Sequence, residues 1–360
     1  MLPEVIRIQA VRVLGVTIIA FVAALLLTPP LFKFLKKFGI KKQIRSAESA
    51  PIFAKLHAKK EGTPTMGGIL IWASVLGLAI LFALLNHFFD GFFAYLNFVN
   101  RAETYLPLAA MFIAASLGFI DDLLGALRIG PNGGGMTTKH KFVMYCLVAA
   151  IGAWWFYSKL GCLDNVENAC ILRIPFFGNF DVGLWYIPIF MLVVVASAFS
   201  ADLTDGLDGL LGGVSLFIFG GLMVVAFLIR RYNLAVMIGA IIGSLLAFLW
   251  NNINPAKFFM GDTGSMALGI TMGVIAMQTD SALFLPIIAL PLVLETLSVI
   301  VQTISKKFFH RKIFLSTPIH HHFEAVGMPE AQITMRFWII GFIGVGLGVI
   351  LFVFYLFGLI

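Results

Sequence analysis

Long apolar runs alternate with short polar segments along the whole chain. A helix needs about 20 apolar residues to cross the hydrocarbon of a bilayer, and backbone polar groups in hydrocarbon must be satisfied inside helices. Runs of this length predict ten spans, at roughly 11–35, 67–89, 105–123, 139–159, 184–200, 208–229, 234–250, 263–279, 283–304 and 333–358. We therefore predict an all-α polytopic membrane protein with about ten transmembrane helices.

Two places depart from this regular pattern. Glu295 lies well inside the span 283–304, and we predict that it supports helix packing or a break in that helix. The polar segment 160–183 is predicted to form a small extracytoplasmic hairpin. Cys162 and Cys170 lie in this segment, and a disulfide between them requires an oxidising compartment. The sequence leaves their pairing open.

The composition is that of a chain almost entirely embedded in lipid. Hydrophobic residues make up 60% and charged residues 12% of the 360 residues, and the mean hydropathy is +0.98. Soluble domains carry about 25% charged residues, so we expect one integral membrane domain over residues 1–360. The net charge of +7 does not indicate nucleic acid, because the basic residues gather at the ends of the spans.

The basic residues also predict the orientation of the spans. Segments on one side of the ten predicted spans hold 18 of the 25 Lys and Arg residues. Loops with an excess of Lys and Arg face the cytoplasm in most membrane proteins. This side is therefore predicted to be cytoplasmic, although Arg230 and Arg231 lie on the opposite side.

Acidic residues stand at the cytoplasmic ends of several spans, in short segments with Gly and Asn. The five that we single out are Asp121, Asp122, Asp205, Asp208 and Asp262. A carboxylate at the edge of a bilayer is unfavourable unless it has a partner or a metal, and Mg²⁺ is commonly held by one or two carboxylates together with substrate phosphates. We therefore predict a site for a divalent cation and a phosphate-bearing substrate. Helix capping is the alternative for Asp205, Asp208 and Asp262.

Three further polar motifs lie on the same predicted side. Gly67 and Gly68 open a span, where backbone N–H groups favour an anion or small residues allow close helix packing. Asn252 is an amide suited to a polar ligand. The histidine triplet at 320–322 suits a turn that offers imidazole groups to phosphate or sugar, and a zinc site with Glu324 is the alternative.

Five ordered motifs resemble those of a known enzyme family. They are GTPTMGG at 62–68, FIDD at 119–122, LTDGLDGL at 203–210, NPAKFFMGDTGS at 254–265 and PIHHHFE at 318–324. In this order and between these spans, they resemble the phospho-N-acetylmuramoyl-pentapeptide transferases, or lipid I synthases. That family belongs to the polyprenyl-phosphate N-acetylhexosamine 1-phosphate transferase superfamily.

The resemblance implies an activity and a location. The family transfers phospho-MurNAc-pentapeptide from UDP-MurNAc-pentapeptide to undecaprenyl phosphate, which releases UMP and forms lipid I in peptidoglycan synthesis. It implies Mg²⁺ as cofactor, ten helices among membrane lipids, and often a homodimer. It also implies the bacterial inner (cytoplasmic) membrane with a cytoplasmic active site. Direct attack by the lipid phosphate and a covalent Asp intermediate both remain open.

The resemblance also implies roles for individual residues. Asp121 and Asp122 match the family's acidic pair, in which Asp121 is the base or the partner of the acceptor phosphate. Asp262 matches the Mg²⁺ ligand and His320 the histidine near the donor phosphates, so these four are the expected catalytic residues. The expected substrate-binding residues, with the uridine pocket first, are Lys60, Asp205, Phe259, Asp208, Asn252, Lys141, His321 and His322.

The chain departs from the family pattern in two places. Phe199 and Asp202 stand where the family usually has asparagines, and Gly125 stands where a lysine usually follows the acidic pair. One phosphate-binding charge is therefore missing and one negative charge is added. Either a nearby residue such as Lys139 compensates, or donor binding is altered.

Two other functions compete with this interpretation. A sister enzyme of the superfamily transfers phospho-GlcNAc to the same lipid, and the PIHHHFE segment argues against it because this loop is expected to set the sugar specificity. A transporter of a lipid-linked substrate would carry ionisable groups within its spans, often in inverted repeats. Here the five aspartates lie at span ends, only Glu295 lies well inside a span, and the sequence shows no repeat.

Overall fold

The protein is described by a computed structural model over residues 4–41, 60, 62–89, 91–100, 102–131, 134–159, 171–174 and 178–358. Cys162 and Cys170, the residues of the open disulfide question, lie outside these ranges. Cys146 is a free cysteine in a helix.

The described elements are mostly helices. The first half contains α1 (Glu4–Lys37), α2 (Ile69–Phe88), α3 (Phe92–Leu96), α4 (Tyr105–Ala126), α5 (Thr138–Lys159), β1 (Ile171–Ile174) and β2 (Gly178–Asp181). The second half contains α6 (Tyr186–Thr204), α7 (Leu210–Leu228), α8 (Tyr232–Asn252), α9 (Asp262–Gln278), α10 (Leu285–Ile288), α11 (Leu290–Ile304), α12 (Ile319–Ala325) and α13 (Glu330–Leu356).

The prediction of an all-α polytopic membrane protein is confirmed. Within the described residues, eight helices are long and apolar enough to cross a membrane: α1, α2, α4, α5, α6, α7, α8 and α13. The predicted number of ten is not confirmed. The two remaining predicted spans correspond to α9, which has 17 residues, and to the pair α10 and α11.

The span predicted at 283–304 is broken. The break lies at Ala289, whose φ of −100° and ψ of 32° leave the helical region. Pro286 and Pro291 stand in the first turns of α10 and α11, where a missing N–H removes no helical hydrogen bond. Glu295 lies in the continuous part of α11, so the prolines rather than Glu295 account for the break.

A small hairpin occupies the polar segment before α6. Strands β1 and β2 pair antiparallel, with Ile171 opposite Asp181 and Ile174 opposite Gly178. The predicted hairpin is therefore present. All four residues of β2 are exposed, as expected for a two-stranded ribbon outside the helical bundle.

Helix α9 lies at the centre of the bundle. All its residues from Thr263 to Gln278 are buried, and it packs against α4 and α6. A Cβ on Gly269 would stand 2.7 Å from the Cα of Ala198, and one on Gly273 would stand 2.8 Å from the Cα of Val194. Small residues of this kind let helix backbones approach closely in membranes. The N-terminus of α9, with Asp262, is thereby surrounded by other helices at one end of the bundle.

Candidate functional site

Four charged side chains meet where the ends of α4 and α6 face the starts of α5 and α9. The Nζ of Lys141 lies 3.2 Å from Asp121 Oδ2 and 3.6 Å from Asp202 Oδ1. It also contacts Asp262 Oδ2 directly. We call Lys141, Asp121, Asp202 and Asp262 the Lys141 cluster. Three carboxylates share one ammonium, so the described side chains of the cluster carry a net negative charge when ionised.

Two glycines shape the end of the segment between α4 and α5, next to the contact of Lys141 with Asp121. Gly134 and Gly135 have φ values of 127° and 84°, in a region that glycine adopts without the steric penalty of a side chain. The backbone N–H of Met136, directly after them, donates to Asp121 Oδ1. This contact fixes one oxygen of Asp121 and leaves the other facing Lys141.

Asp122 has a different position from its neighbour. Its Oδ2 accepts a hydrogen bond of 3.0 Å from the backbone N–H of Thr263, in the first turn of α9. The first N–H groups of a helix have no partner within the helix, and a carboxylate is favourable beside them because of the helix dipole. Asp122 therefore positions the start of α9, and with it Asp262, while Asp121 faces Lys141.

The contact between α4 and α9 depends on Gly118. A Cβ at this position would stand 2.2 Å from the backbone oxygen of Asp262 and 2.6 Å from the backbone nitrogen of Thr263. Thr263 also donates from its hydroxyl to the carbonyl of Ala115 at 2.9 Å. The α4 backbone is thus held against the residues that carry the site.

A second group of charges surrounds Lys60. Its Nζ lies 2.7 Å from Asp208 Oδ1 and also contacts Glu330 Oε1. The backbone N–H of Asp208 donates to the same Glu330 oxygen at 2.7 Å. The Lys60 ammonium lies 5.7 Å from the ring centroid of Phe259, within the range of a cation–π interaction. We call Lys60, Asp208, Glu330 and Phe259 the Lys60 cluster.

The structure thus brings several predicted pocket residues together and adds one. Lys60 and Phe259 are neighbours, and Asp205 ends α6 as its C-cap residue, three positions before Asp208. Sequence reasoning missed Glu330. It is an acidic residue at the first position of the last span, and the argument applied to the five aspartates would have selected it.

The two clusters are adjacent. Phe259 and Asp262 are three residues apart, so their Cα atoms are separated by at most about 11 Å. Asp202 of the Lys141 cluster and Asp205 are likewise three residues apart on α6. A ligand with an aromatic ring and phosphate groups could therefore contact both clusters at once.

Asn252 and Asp208 hold the backbone between the clusters. Asn252 Oδ1 accepts from the N–H of Gly209 at 3.0 Å, and its Nδ2 donates to the carbonyl of Phe258 at 2.9 Å. Asp208 Oδ2 accepts from the N–H of Ala256 at 3.1 Å. The amide oxygen and nitrogen of Asn252 each make a hydrogen bond within the protein, so its side chain ties these loops together. Its role in substrate binding stays a prediction. Asp208 does not cap its own helix, because the N-cap of α7 is Gly209.

The two glycines at the start of α2 serve packing. The N–H groups of Gly67 and Gly68 donate to the carbonyls of Phe259 and Met260, both at 2.8 Å. A Cβ on Gly67 would lie 2.2 Å from the ring of Phe258. Of the two interpretations left open by the sequence, the structure therefore favours close packing over an anion site.

The histidine triplet lies on a short helix, α12, and not in the predicted turn. His320 is fully buried, and its Nδ1 lies 2.9 Å from Oε2 of Glu295. His321 Nδ1 lies 2.6 Å from Oε2 of Glu324. His322 Nδ1 accepts from the N–H of Leu315 at 3.2 Å. The three imidazoles thus point to three different partners.

The donor chemistry of the Lys141 cluster fits a divalent cation. Oxygens of Asp121, Asp202 and Asp262 converge on one positive charge, and Mg²⁺ takes oxygen ligands of this kind. As it stands, no group of three or more His, Cys, Asp or Glu in the described ranges is arranged to hold a metal ion. The carboxylates of the Lys141 cluster are therefore ligands of the kind that Mg²⁺ binds. In this structure the ammonium of Lys141 is the positive charge that they contact.

The departures from the family pattern have clear positions. Asp202 is the third carboxylate of the Lys141 cluster, so the added negative charge lies at the site itself. Phe199 is partly buried and packs against a hydrophobic core. A Cβ on Gly125 would meet no atom within 4 Å, so a lysine there would have room.

This arrangement defines a polytopic membrane protein with a charged site at one rim of its helical bundle. The family model of glycosyl transferase family 4 matches residues 104–280, and signature 1 of phospho-N-acetylmuramoyl-pentapeptide-transferase matches residues 60–71. The first range includes the whole Lys141 cluster, and the second begins at Lys60.

Curated relatives match nearly the whole chain. A phospho-N-acetylmuramoyl-pentapeptide-transferase of Chloroflexus aurantiacus is 36% identical over 94% of this chain and 89% of the relative. Relatives of the same name from Borrelia hermsii and Anoxybacillus flavithermus are 37% and 35% identical, over 91% and 92% of this chain and 91% and 95% of their own lengths. The chain belongs to the phospho-N-acetylmuramoyl-pentapeptide-transferase family, which confirms the resemblance seen in its motifs. It is therefore a membrane-embedded transferase.

Proposed function

We propose that this protein transfers phospho-MurNAc-pentapeptide from UDP-MurNAc-pentapeptide to undecaprenyl phosphate, forming lipid I and UMP for peptidoglycan synthesis. The observation that carries this proposal is the identity of more than a third along nearly the whole chain to relatives of that name. The convergence of carboxylates and a lysine at one rim of the bundle supports it, because a phosphate-bearing substrate needs such groups.

The site is proposed to face the cytoplasm from the bacterial inner membrane. The excess of basic residues on the side that carries the Lys60 and Lys141 clusters supports this orientation. The whole chain acts as one domain, and the family resemblance favours a homodimer.

The reaction exchanges one phosphorus–oxygen bond for another. An oxygen of undecaprenyl phosphate forms a bond to the sugar-linked phosphorus of the donor, and the bond from that phosphorus to the UMP oxygen breaks. A covalent Asp intermediate would divide the same change into two steps. Catalysis of phosphoryl transfer depends mainly on positioning and charge stabilisation, and both clusters are suited to these tasks.

The residues of the Lys60 cluster are proposed to bind the uridine half of the donor. The ring of Phe259 offers a stacking surface, and the adjacent ammonium of Lys60 offers a positive charge. Asp205 supplies a polar contact from the end of α6. His321 and His322 are proposed to border the pocket from α12.

The residues of the Lys141 cluster are proposed to bind the two phosphates that react. When the donor binds, the ammonium of Lys141 would contact the donor phosphate as well as the carboxylates of Asp121 and Asp262. Asp121 would hold the acceptor phosphate or take its proton, and Asp122 keeps Asp262 in place through Thr263. Mg²⁺, held by Asp262 with Asp121, would supply positive charge to the phosphate oxygens.

The proposed function predicts metal-dependent release of UMP. Purified protein in lipid nanodiscs should release UMP from UDP-MurNAc-pentapeptide when undecaprenyl phosphate and Mg²⁺ are present. Excess EDTA should stop the release, and added Mg²⁺ should restore it, because the phosphates would otherwise meet a rim that is already negative. UMP is measured by a coupled assay and lipid I by thin-layer chromatography. Transfer from UDP-GlcNAc but not from UDP-MurNAc-pentapeptide would reverse the proposal in favour of the sister enzyme.

A substitution at the contact between α4 and α9 should impair this reaction. We expect Gly118→Ala to lower kcat by about 10- to 100-fold, because the added methyl group must displace the backbone of Asp262 and small misplacements of reacting groups are costly. Gly220→Ala is the matched control, since a Cβ at Gly220 meets no atom within 4 Å. Equal kcat values for the two variants would contradict the positioning of Asp262 by α4.

A further inference from the structure

A carboxylate and an imidazole are paired in the interior between α11 and α12. The side chains of Glu295 and His320 are both 0% exposed. Glu295 Oε2 lies 2.9 Å from His320 Nδ1 and 3.4 Å from the backbone nitrogen of His320. Glu295 is therefore held by two contacts to one residue, and an acid in a membrane segment calls for a functional explanation.

These contacts determine the orientation and the tautomer of the imidazole. Oε2 of Glu295 accepts from the backbone N–H of His320, and an ionised carboxylate only accepts hydrogen bonds, so with Glu295 ionised Nδ1 of His320 carries a proton and donates it to the same oxygen. In the neutral ring, Nε2 then keeps its lone pair. Nε2 is buried and has no hydrogen-bond partner among the described residues, and the same is true of Glu295 Oε1. A buried polar atom without a partner is unfavourable, so such atoms are uncommon unless they serve a function.

The unpaired nitrogen is directed at the segment that separates the two clusters. A Cβ on Gly206 would stand 2.2 Å from Nε2 of His320. Gly206 follows Asp205 and precedes Asp208, so the imidazole lies against the backbone that carries both residues. The absence of a side chain at Gly206 is what allows this approach.

We propose that Glu295 is a positioning residue for the transfer reaction, which holds His320 in one tautomer with Nε2 aimed at the Asp205–Gly206 turn. The proposal rests on the proposed function and deepens it. Glu295 touches no reacting group. It acts through His320, and His320 contacts the turn that follows Asp202 of the Lys141 cluster, so displacement of this turn would misplace the cluster that binds the reacting phosphates. Mere helix packing by Glu295 would not require a specific tautomer.

Glu295→Gln tests the proposal with little change of shape. The amide can donate to Nδ1 as well as accept from it, so the variant no longer enforces one tautomer. We expect kcat for UMP release to fall by about 10- to 100-fold, the range for loss of residues that orient functional histidines, with KM for UDP-MurNAc-pentapeptide within about 3-fold. Glu103→Gln is the matched control, since Glu103 accepts from the N–H of Leu234 in another part of the fold.

A double-mutant cycle separates positioning from packing. In a His320→Asn background, Glu295→Gln should cause no further loss of kcat, because residues that act through one another are not additive. Full additivity of the two losses would overturn the proposal. So would an unchanged kcat in Glu295→Gln beside an active wild type. Failure of the wild type to release UMP would overturn the proposed function as well.

A second variant changes the residue that Nε2 of His320 contacts, Gly206. Gly206→Ala should lower kcat while Gly220→Ala does not, because the methyl group would occupy the place of Nε2. Thermal unfolding of each variant in detergent shows whether the fold is kept. A Gly206→Ala protein with wild-type kcat would contradict the contact on which the proposal depends.

Discussion

Asp262→Asn should abolish Mg²⁺-dependent turnover while the protein still inserts and folds. Asparagine has the shape of aspartate and keeps an oxygen for Lys141, so the packing around α9 is preserved. It lacks the charge that a magnesium ligand supplies. We expect kcat for UMP release to fall by about 10³-fold or more, which corresponds to roughly 4 kcal/mol of lost transition-state stabilisation. The measurement is the rate of UMP release at saturating Mg²⁺.

The other end of the same helix provides the control for this substitution. Asp280 follows α9 by two residues, and its φ of 53° is tolerated by asparagine. Asp280→Asn should therefore keep both its fold and its turnover. A near-normal, Mg²⁺-dependent rate in Asp262→Asn would remove Asp262 from the metal site. The magnesium would then have to be placed elsewhere along the rim.

Lys141→Met should remove both activity and stability. Its ammonium is the positive charge shared by Asp121, Asp202 and Asp262, and only 18% of the side chain is exposed. Removing one partner of a buried ion pair costs about 3–5 kcal/mol. Loss of one donor to a phosphate lowers kcat by about 10²- to 10³-fold. We expect a lower melting temperature in detergent and almost no UMP release.

Charge balance distinguishes this effect from a general loss of packing. Adding Asp262→Asn to Lys141→Met removes one of the uncompensated carboxylates, so the double variant should melt above the single Lys141→Met variant. Lys306→Met, at an exposed lysine on the same rim, should leave stability and turnover unchanged. A Lys141→Met protein with normal melting temperature would mean that the three carboxylates do not depend on this lysine.

These two predictions come from one electrostatic property of the rim. Three carboxylates face a single lysine, and both reactants bring further negative charge in their phosphates. Positive charge must accompany the reactants if they are to bind side by side. In the proposed function Mg²⁺ would supply that charge, which would allow acidic residues to line a site for phosphates.

Much of the fold could be predicted from the sequence. The length of each apolar run predicts a membrane helix because the hydrocarbon thickness is fixed, and the described helices match the predicted ranges within a few residues at most ends. The break in the span 283–304 and the hairpin near Gly178 also follow from local composition. The number of ten spans is not confirmed, because the helix Asp262–Gln278 has only 17 residues and the predicted span 283–304 is divided into two shorter helices.

The candidate site was only partly predictable. Motif matching selected Lys60, Lys141 and the aspartates, but Glu330 has no motif around it. The roles of the adjacent residues Asp121 and Asp122 differ because successive side chains on a helix point in different directions. That difference is visible only when Thr263 is placed beside Asp122.

The sequence by itself determined that this is a membrane protein with polar motifs at one rim, because hydrophobic length and motif order are local properties of the chain. Only the tertiary structure decided which span ends meet. Lys141 and Asp262 are 121 positions apart, and Glu295 and His320 are 25 apart. Such pairs form because buried charged groups are unfavourable without a partner. Helix packing, and not proximity in the sequence, determines which residue is close enough to be that partner.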